Sequence, residues 1–311
     1  MEARLRELLV ARRQRLPAET TCFRWVDGEL PGVTVDVFGE VGVLSFYRDA
    51  GPDEPGRLGT AVLGAGALAG VYVKHRPKEA RRTATVDAAA VAPPAPIAGR
   101  AVESLIVQEG GLSFVIRPAN GLSVGLYLDA RDARAWVRAH ARGRRVLNLF
   151  AYTCGFGVAA RVGGASRAAN VDASRKVLDW GEENLVTNGF TPERYDFIAG
   201  DAFDWLARLG KKGEQFDLVV LDPPGFATTK VSRFTAARDY HQLVAAAEPV
   251  VASRGLLLSM CNVEAMTAKE LEGQVQRGLA ARRSTLVRSF GASDVDFAQP
   301  SALKCLVHEL G

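Results

Sequence analysis

From Val146 onward, short apolar runs alternate with helical segments. The candidate strands are "VLNLFA", "AANVDA", "YDFIAG", "DLVVLDPP", "GLLLSM", "TLVRSF" and "LKCLVHEL". Stretches such as "ASRKVLDWGEENLVTNG" and "DAFDWLARLGKK" separate most of them and read as helices. Several of these strands are apolar throughout, with no alternation. That is the pattern of strands covered on both faces of a parallel sheet, and it restricts the second half of the chain to an α/β architecture. "GASDVDFAQPSA" reads as a loop, so the last two strands predict an antiparallel hairpin at the end of the sheet.

Upstream the pattern differs. "MEARLRELLVARRQRL" predicts an amphipathic helix with Leu5, Leu8 and Leu9 on one face. "CFRWV", the Asp27-Gly28 turn and "GVTVDVFGEVGVLSFY" read as short strands. A helix through "GRLGTAVLGAG" and a strand "GVYVKH" complete a small α+β unit. "AVAPPAPIAGR" has no periodicity and reads as a linker. "ESLIVQEGGLSFVIRP" predicts a hairpin around Gly110-Gly111, and "GLYLDARDARAWVRAHARGRR" starts extended and turns into an Arg-rich helix. The expected division is an Arg-rich helix at 1–19, a small α+β domain at 20–98, a hairpin connector at 99–125 and the α/β domain at 126–311.

At 311 residues, 48% hydrophobic and 24% charged, the chain is long and apolar enough for two cores. Its longest apolar stretch, Ala61 to Val73, is too short and too glycine-rich to span a bilayer, and acids and arginines interrupt the N-terminal leucines. A cytoplasmic protein with no membrane partner is expected, and a homodimer is left open. Four scattered cysteines without a CxxC pair, and four unclustered histidines, argue against zinc and against a disulfide framework. A net charge of +4 does not announce a polyanion partner. Local runs are more informative: "KHRPKEARR" and "RDARAWVRAHARGRR" suit RNA, although each alone also suits a solvated helix face. Lys74, Arg76, Lys78, Arg81 and Arg82 are the candidate RNA contacts.

In an open α/β sheet, ligands bind beyond the carboxyl ends of the strands. After the first strand here comes the Gly-containing turn "AYTCGFG". Asp172 follows the second, Asp201 the third, and Asp222-Pro223-Pro224-Gly225-Phe226 the fourth. Gly155, Gly157 and Ala160 with Asp172 match a loose dinucleotide fingerprint. S-adenosylmethionine uses the same first turn and second-strand acid. It adds a third-strand acid and a reactive loop after the fourth, which Asp201 and "DPPGF" supply. In that loop the prolines stiffen the backbone, Gly225 permits close approach, and Phe226 offers a face to an extruded base.

In this order, "LYLDARDAR", "VLNLFAYTCGFGVAA", "NVDASRKVLDWGEENLVTNG", "DAFDWL" and "LDPPGFATTK" resemble the class I S-adenosylmethionine-dependent large-subunit ribosomal RNA methyltransferases of the I and K types. "DGELPGVTVDVFGEVGVLSFY" and "VYVKHRPKEAR" extend the resemblance upstream, over about the whole chain. The resemblance implies a seven-stranded Rossmann-like methyltransferase domain behind the small α+β domain, S-adenosylmethionine as cofactor, and a base of 23S RNA as substrate. It implies that Asn148, Phe150, Tyr152 and Gly155 line the cofactor turn, and that Asp172 holds the ribose and Asp201 the adenine end. Asp222 then sits at the mouth of the transfer site, and Asp129 and Arg131 brace the cofactor. The chain departs from the pattern in lacking the PUA domain of type I before its α+β domain, in Cys154 where a glycine is usual, and in Ala130 where a glutamine is usual.

The atom that receives the methyl group rests on "SMCN". 5-Methylcytosine formation needs a cysteine thiolate to add to carbon 6. Counted back from "AMT", Asn262 stands at that cysteine's place, and Cys261 falls one position early, toward the other face of a strand. Type K members, which methylate guanine N7, carry Asn-rich residues there. Direct attack by a guanine nitrogen, with Asp222, Pro223, Phe226 and Asn262 positioning the base, is favoured over a covalent route through Cys261. A small-molecule methyltransferase and a non-catalytic binding protein stay open as alternatives.

Overall fold

A computed structural model describes residues 1–76, 88–228, 233–280, 282–297 and 301–311. Lys78, Arg81 and Arg82 lie outside the described residues. The chain divides into two compact units, Met1–Leu128 with Ser293–Gln299, and Asp129–Ala292 with Pro300–Gly311. The hairpin expected as a separate connector is thus part of the first unit. The loop expected between the last two strands supplies that unit with its final segment.

The first unit begins with helix α1 (Glu2–Arg13), followed by β1 (Cys22–Leu30), β2 (Val33–Phe38), β3 (Val41–Phe46), α2 (Glu54–Gly66), β4 (Gly70–His75), a short α3 (Ala88–Val91) and β5 (Ala98–Gly99). The strands form one five-stranded sheet in the order β1-β2-β3-β4-β5, with β3 and β4 parallel across α2. Leu5 and Leu9 of α1 are buried with Trp25 and Val62, and the Trp25 indole donates to the Leu5 carbonyl at 3.0 Å. The stretch read as a linker ends instead as the edge strand β5. Ala98 pairs with Val71, and the Ile97 N–H donates to the Val71 carbonyl. Gly59 of α2 makes room for Ile97, whose side chain a Cβ at 59 would meet at 2.5 Å. A hairpin of β6 (Leu105–Glu109) and β7 (Leu112–Ile116) completes the unit.

In the returning segment, Asp296 is buried and accepts the Arg24 N–H at 3.0 Å, and the Phe297 ring lies under the Arg24 guanidinium. Arg24 also holds Asp36 at 2.7 Å, and this pairing keeps the guanidinium charged despite its burial.

The second unit begins at Asp129, within a single 3-10 turn (Leu128–Ala130), and continues with α4 (Arg131–His140). Then come β8 (Arg145–Leu149), α5 (Gly155–Val162), β9 (Arg167–Asp172), α6 (Arg175–Thr187), β10 (Phe197–Ala199), α7 (Ala202–Lys211) and β11 (Phe216–Leu221). A small hairpin of β12 (Phe226–Thr228) and β13 (Arg233–Thr235) leads to α8 (Ala236–Ala247), β14 (Val251–Cys261), α9 (Ala268–Gly278), β15 (Ser284–Phe290) and β16 (Lys304–Leu310). The seven-stranded sheet runs β10-β9-β8-β11-β14-β16-β15, parallel as far as β14 and antiparallel beyond it, as the apolar strands and the terminal loop predict. The order reverses at β8, so the crevice between β8 and β11 is the place for a ligand.

Successive residues of the strands serve opposite faces. Leu147, Leu149, Val219, Leu221, Leu257 and Cys261 pack in one core with α8 and α9 residues. Val146, Leu218, Val220, Leu258 and Met260 pack in the other with α4 residues. No helix among the described residues is long and apolar enough to cross a membrane.

His308 of β16 is fully buried, and neither ring nitrogen has a hydrogen-bond partner among the described residues. Burial pushes its pKa below 6.5. The unfolded chain therefore takes up this proton first as pH falls, and folding loses stability below about 6.5. We expect the urea midpoint to fall between pH 7.5 and 5.5, and His308→Leu to shrink that fall. An identical fall in both proteins would assign the acid sensitivity elsewhere.

Candidate active site

The turn between β8 and α5 is bent in an unusual way. Phe150, Tyr152 and Cys154 all have positive φ, at 58°, 49° and 59°. Each such residue costs about 1–2 kcal/mol when it is not glycine, so the turn needs outside support. Asp172, at the end of β9, provides it. One carboxylate oxygen accepts the Tyr152 N–H at 2.8 Å, and the other accepts the Ser174 N–H at 2.9 Å. Burial raises the Asp172 pKa, and these backbone donors oppose the rise.

Cys154, the residue expected from the resemblance to replace a glycine, is buried. Its place is explained on α6: a Cβ at Gly181 would sit 2.3 Å from the Cys154 sulfur. The missing side chain at 181 is the space that Cys154 fills. Burial and the nearby Asp172 hold the thiol protonated.

Asn148 supports the turn from below. Its buried side chain donates to Asn170 at 2.9 Å, and Asn170 in turn donates to the Asp196 carbonyl. Gly157 lets α5 approach this pair, since a Cβ there would lie 2.2 Å from the Asn170 oxygen. Gly155 opens α5. Asp201 caps α7, accepting the N–H groups of Phe203 and Asp204. Phe203 packs tilted on Phe234 of β13, with ring centres 6.0 Å apart. The hairpin after "DPPG" is thereby tied to the edge of the site that Asp201 marks.

Asp222 leaves the end of β11 half-buried. Its pKa is raised to about 7, first by burial and then by Asp129, with Arg134 opposing them. Asp129 lies in the 3-10 turn, and Arg131 and Arg134 are buried residues of α4, so all three belong to the same unit as Asp222. Arg134 was not singled out in the sequence. Its position one helical turn after Arg131 is the signal that marks it. Pro223 is buried, whereas Phe226 is 58% exposed. Gly225 lies against the loop after β14, and a Cβ there would come 3.0 Å from Val263. The Asp222 loop and the Asn262 loop are therefore neighbours.

In that second loop Asn262 is exposed, while Cys261 points into the core shared with α8 and α9. Burial raises the Cys261 pKa, and Lys304 only partly offsets it. The Lys304 ammonium donates to the Val263 carbonyl at 2.6 Å and fixes the loop. Lys74 is placed differently from the sequence expectation. It is fully buried, its ammonium donates to the Pro118 carbonyl at 2.8 Å, and burial lowers its pKa to about 8. Arg76 is half-buried and donates to the Leu122 carbonyl.

The site residues fit a nucleoside-bearing cofactor. The Asp172 carboxylate accepts backbone N–H groups on both oxygens and keeps acceptor capacity that a ribose hydroxyl can use. Asp201 and Phe203 place an acceptor and a ring at the next strand end, where a purine would extend.

The model of a family described as S-adenosylmethionine-dependent methyltransferase matches residues 21–298. The chain belongs to this family. Among curated proteins it is 34% identical over 262 residues to ribosomal RNA large subunit methyltransferase I of Alteromonas mediterranea, covering 81% of this chain and 64% of that protein. It is 40% identical over 156 residues to ribosomal RNA large subunit methyltransferase K/L of a Psychrobacter species, covering 49% of this chain and 19% of the relative. The chain thus spans less than two thirds of the length of either relative. Among solved structures, SMU.776, a methyltransferase candidate complexed with SAH, superposes with a TM-score of 0.84 at 22% identity, covering 99% of this chain and 81% of that one.

Membership of this family makes S-adenosylmethionine the cofactor, and Cys154 in the turn after β8 packs into the space that Gly181 leaves. Gly181→Ala should weaken S-adenosylmethionine binding at least about tenfold by titration calorimetry, because the turn must shift. Adding Cys154→Gly should recover most of that loss. Equal affinities in the single and double variants would dissociate the pair from cofactor binding.

Proposed function

We propose that this enzyme methylates a guanine nitrogen in large-subunit ribosomal RNA, without a covalent intermediate. The observation that carries the choice of atom is the pair Cys261 and Asn262. A thiol can open a pyrimidine ring only as an exposed thiolate. Cys261 is buried in the core and held protonated, whereas Asn262 stands exposed beside the Asp222 loop. The names of the relatives support ribosomal RNA as the substrate. A cytoplasmic setting agrees with that substrate, and homodimerisation is not needed for the reading.

In this reading Phe150, Tyr152, Gly155, Asp172 and Asp201 hold S-adenosylmethionine, with Asn148 beneath the turn and Asp129 and Arg131 bracing it. The bound cofactor supplies an electrophilic methyl group on a positively charged sulfur. The protein's own part is orientation. Phe226 stacks on the extruded base, and Asn262 hydrogen-bonds its edge. Asp222, once ionised, accepts from guanine N–H groups. A nitrogen such as N7 attacks through its lone pair and gives up no proton, so no general base is required. Arg76, Lys78, Arg81 and Arg82 belong to the basic stretch proposed to meet RNA. Lys74 serves the fold of that region.

Asp222 should govern the pH profile. Its raised pKa leaves it protonated in the folded state between about 4 and 7, where the unfolded chain has already ionised. Stability therefore falls as pH rises through that window, while the acceptor form needed for transfer accumulates. We expect methylation of ribosomal RNA, read by nucleoside mass mapping, to rise through pH 7 and to drop at least about a hundredfold in Asp222→Asn. The same variant should melt higher than wild type at pH 8. Cys261→Ala should retain methylation and yield a methylated guanosine. Production of 5-methylcytidine that disappears in Cys261→Ala would overturn this assignment.

A further inference from the structure

Tyr240, on α8, is buried beneath the carboxyl ends of β11 and β14, and nothing in the chemistry described so far uses it. Its hydroxyl lies 3.1 Å from the Leu221 carbonyl and 3.0 Å from the Met260 carbonyl. These two residues immediately precede Asp222 and Cys261-Asn262. The β11–β14 ladder pairs Leu218 with Leu256, Val219 with Leu257, Val220 with Leu258 and Leu221 with Ser259, and its register goes no further. Beyond that point the strands part, one toward "DPPG" and the other toward Asn262. A single phenolic proton shared between the two carbonyls replaces the next rung of the ladder.

A buried polar bridge of this kind is expensive to leave incomplete, which makes it a stiff spacer. The ring is locked by the core of α8, in which Ala236, Leu243, Val244 and Ala247 are fully buried. Burial, Cys261 and Asp222 all raise the Tyr240 pKa, so the hydroxyl remains a donor at neutral pH. Tyr240, Asp222 and Cys261 thus form one electrostatic cluster.

We propose that Tyr240 is a positioning residue for methyl transfer: its hydroxyl sets the separation of the strand ends that carry Asp222 and Asn262. The proposal rests on the reading of those two residues as the base-positioning pair. Misplacement by about 1 Å is enough to cost about a hundredfold in rate, so loss of one hydroxyl here acts on the chemistry without touching substrate or cofactor.

The test compares the wild type with Tyr240→Phe and with Leu243→Val, which loosens the same core without touching the bridge. Tyr240→Phe should bind S-adenosylmethionine within about twofold of wild type and keep KM for ribosomal RNA, while kcat falls at least about tenfold. Leu243→Val, at a comparable loss of Tm, should keep kcat within about twofold. If kcat in both variants follows Tm alone, or if Tyr240→Phe keeps wild-type kcat, the proposal is overturned. The Asp222 titration near pH 7, followed by carbon NMR of labelled aspartate and assigned with Asp222→Asn, needs no RNA. It should move toward the ordinary aspartate range in Tyr240→Phe and stay in place in Leu243→Val. Should the wild type methylate no ribosomal RNA, the substrate reading fails, and the carboxyl titration still decides the role of Tyr240: an unmoved midpoint overturns it.

Discussion

The carboxylate of Asp172 holds together the part of the molecule on which its chemistry depends. Three non-glycine residues in left-handed conformations within five positions are costly together, on the order of several kcal/mol. Asp172 offsets part of this by accepting the Tyr152 N–H, and the Ser174 N–H ties the same carboxylate to the start of α6. The turn is thus fixed by an acid on the neighbouring strand. Its own residues prefer other conformations. This arrangement also explains why the acid sits at a strand end: only there can one carboxylate reach the preceding turn and still present lone pairs to a ligand.

Small side chains decide how closely the elements around that turn approach. Gly157 admits Asn170, Gly181 admits Cys154, and Gly225 admits Val263. Each is a contact between elements distant in sequence, and each bears on one part of the site. The first packs α5 on the sheet, the second shapes the cofactor turn, and the third brings the Asp222 loop beside the loop of Asn262. The cysteine at 154 is accommodated because 181 lacks a side chain.

The site combines a carboxyl group that is costly to ionise with a thiol that is costly to ionise, a few positions from each other on adjacent strands. Both shifts come first from burial. Their consequences differ because their positions differ. Asp222 is at the open edge, where a ligand can supply the missing partner. Cys261 faces the helix-side core, where burial outweighs the Val263 backbone hydrogen bond and Lys304, and the thiol keeps its proton. Burial at an open edge poises a group for use; burial in a core retires it.

Much of this was legible in the chain. Short apolar runs without alternation, separated by helical segments, read as strands covered on both sides, and acids placed directly after successive strands of such a sheet converge on one edge. The parity of a strand also separates Cys261 from Asn262. What the tertiary structure decided concerns contacts between distant residues. "AVAPPAPIAGR" lacks periodicity, yet its end pairs with β4 because Gly59 leaves a place for Ile97. Lys74 belongs to a basic run, yet the strand turns it inward, where the Pro118 carbonyl takes its ammonium. Asp296 reads as loop, but the loop folds back and caps the Arg24 N–H. Tyr240 is an unremarked tyrosine in a helix until α8 is laid across β11 and β14. Local pattern reports which face of an element is apolar; it carries no record of which carbonyl, cavity or backbone N–H a distant segment will bring to that face.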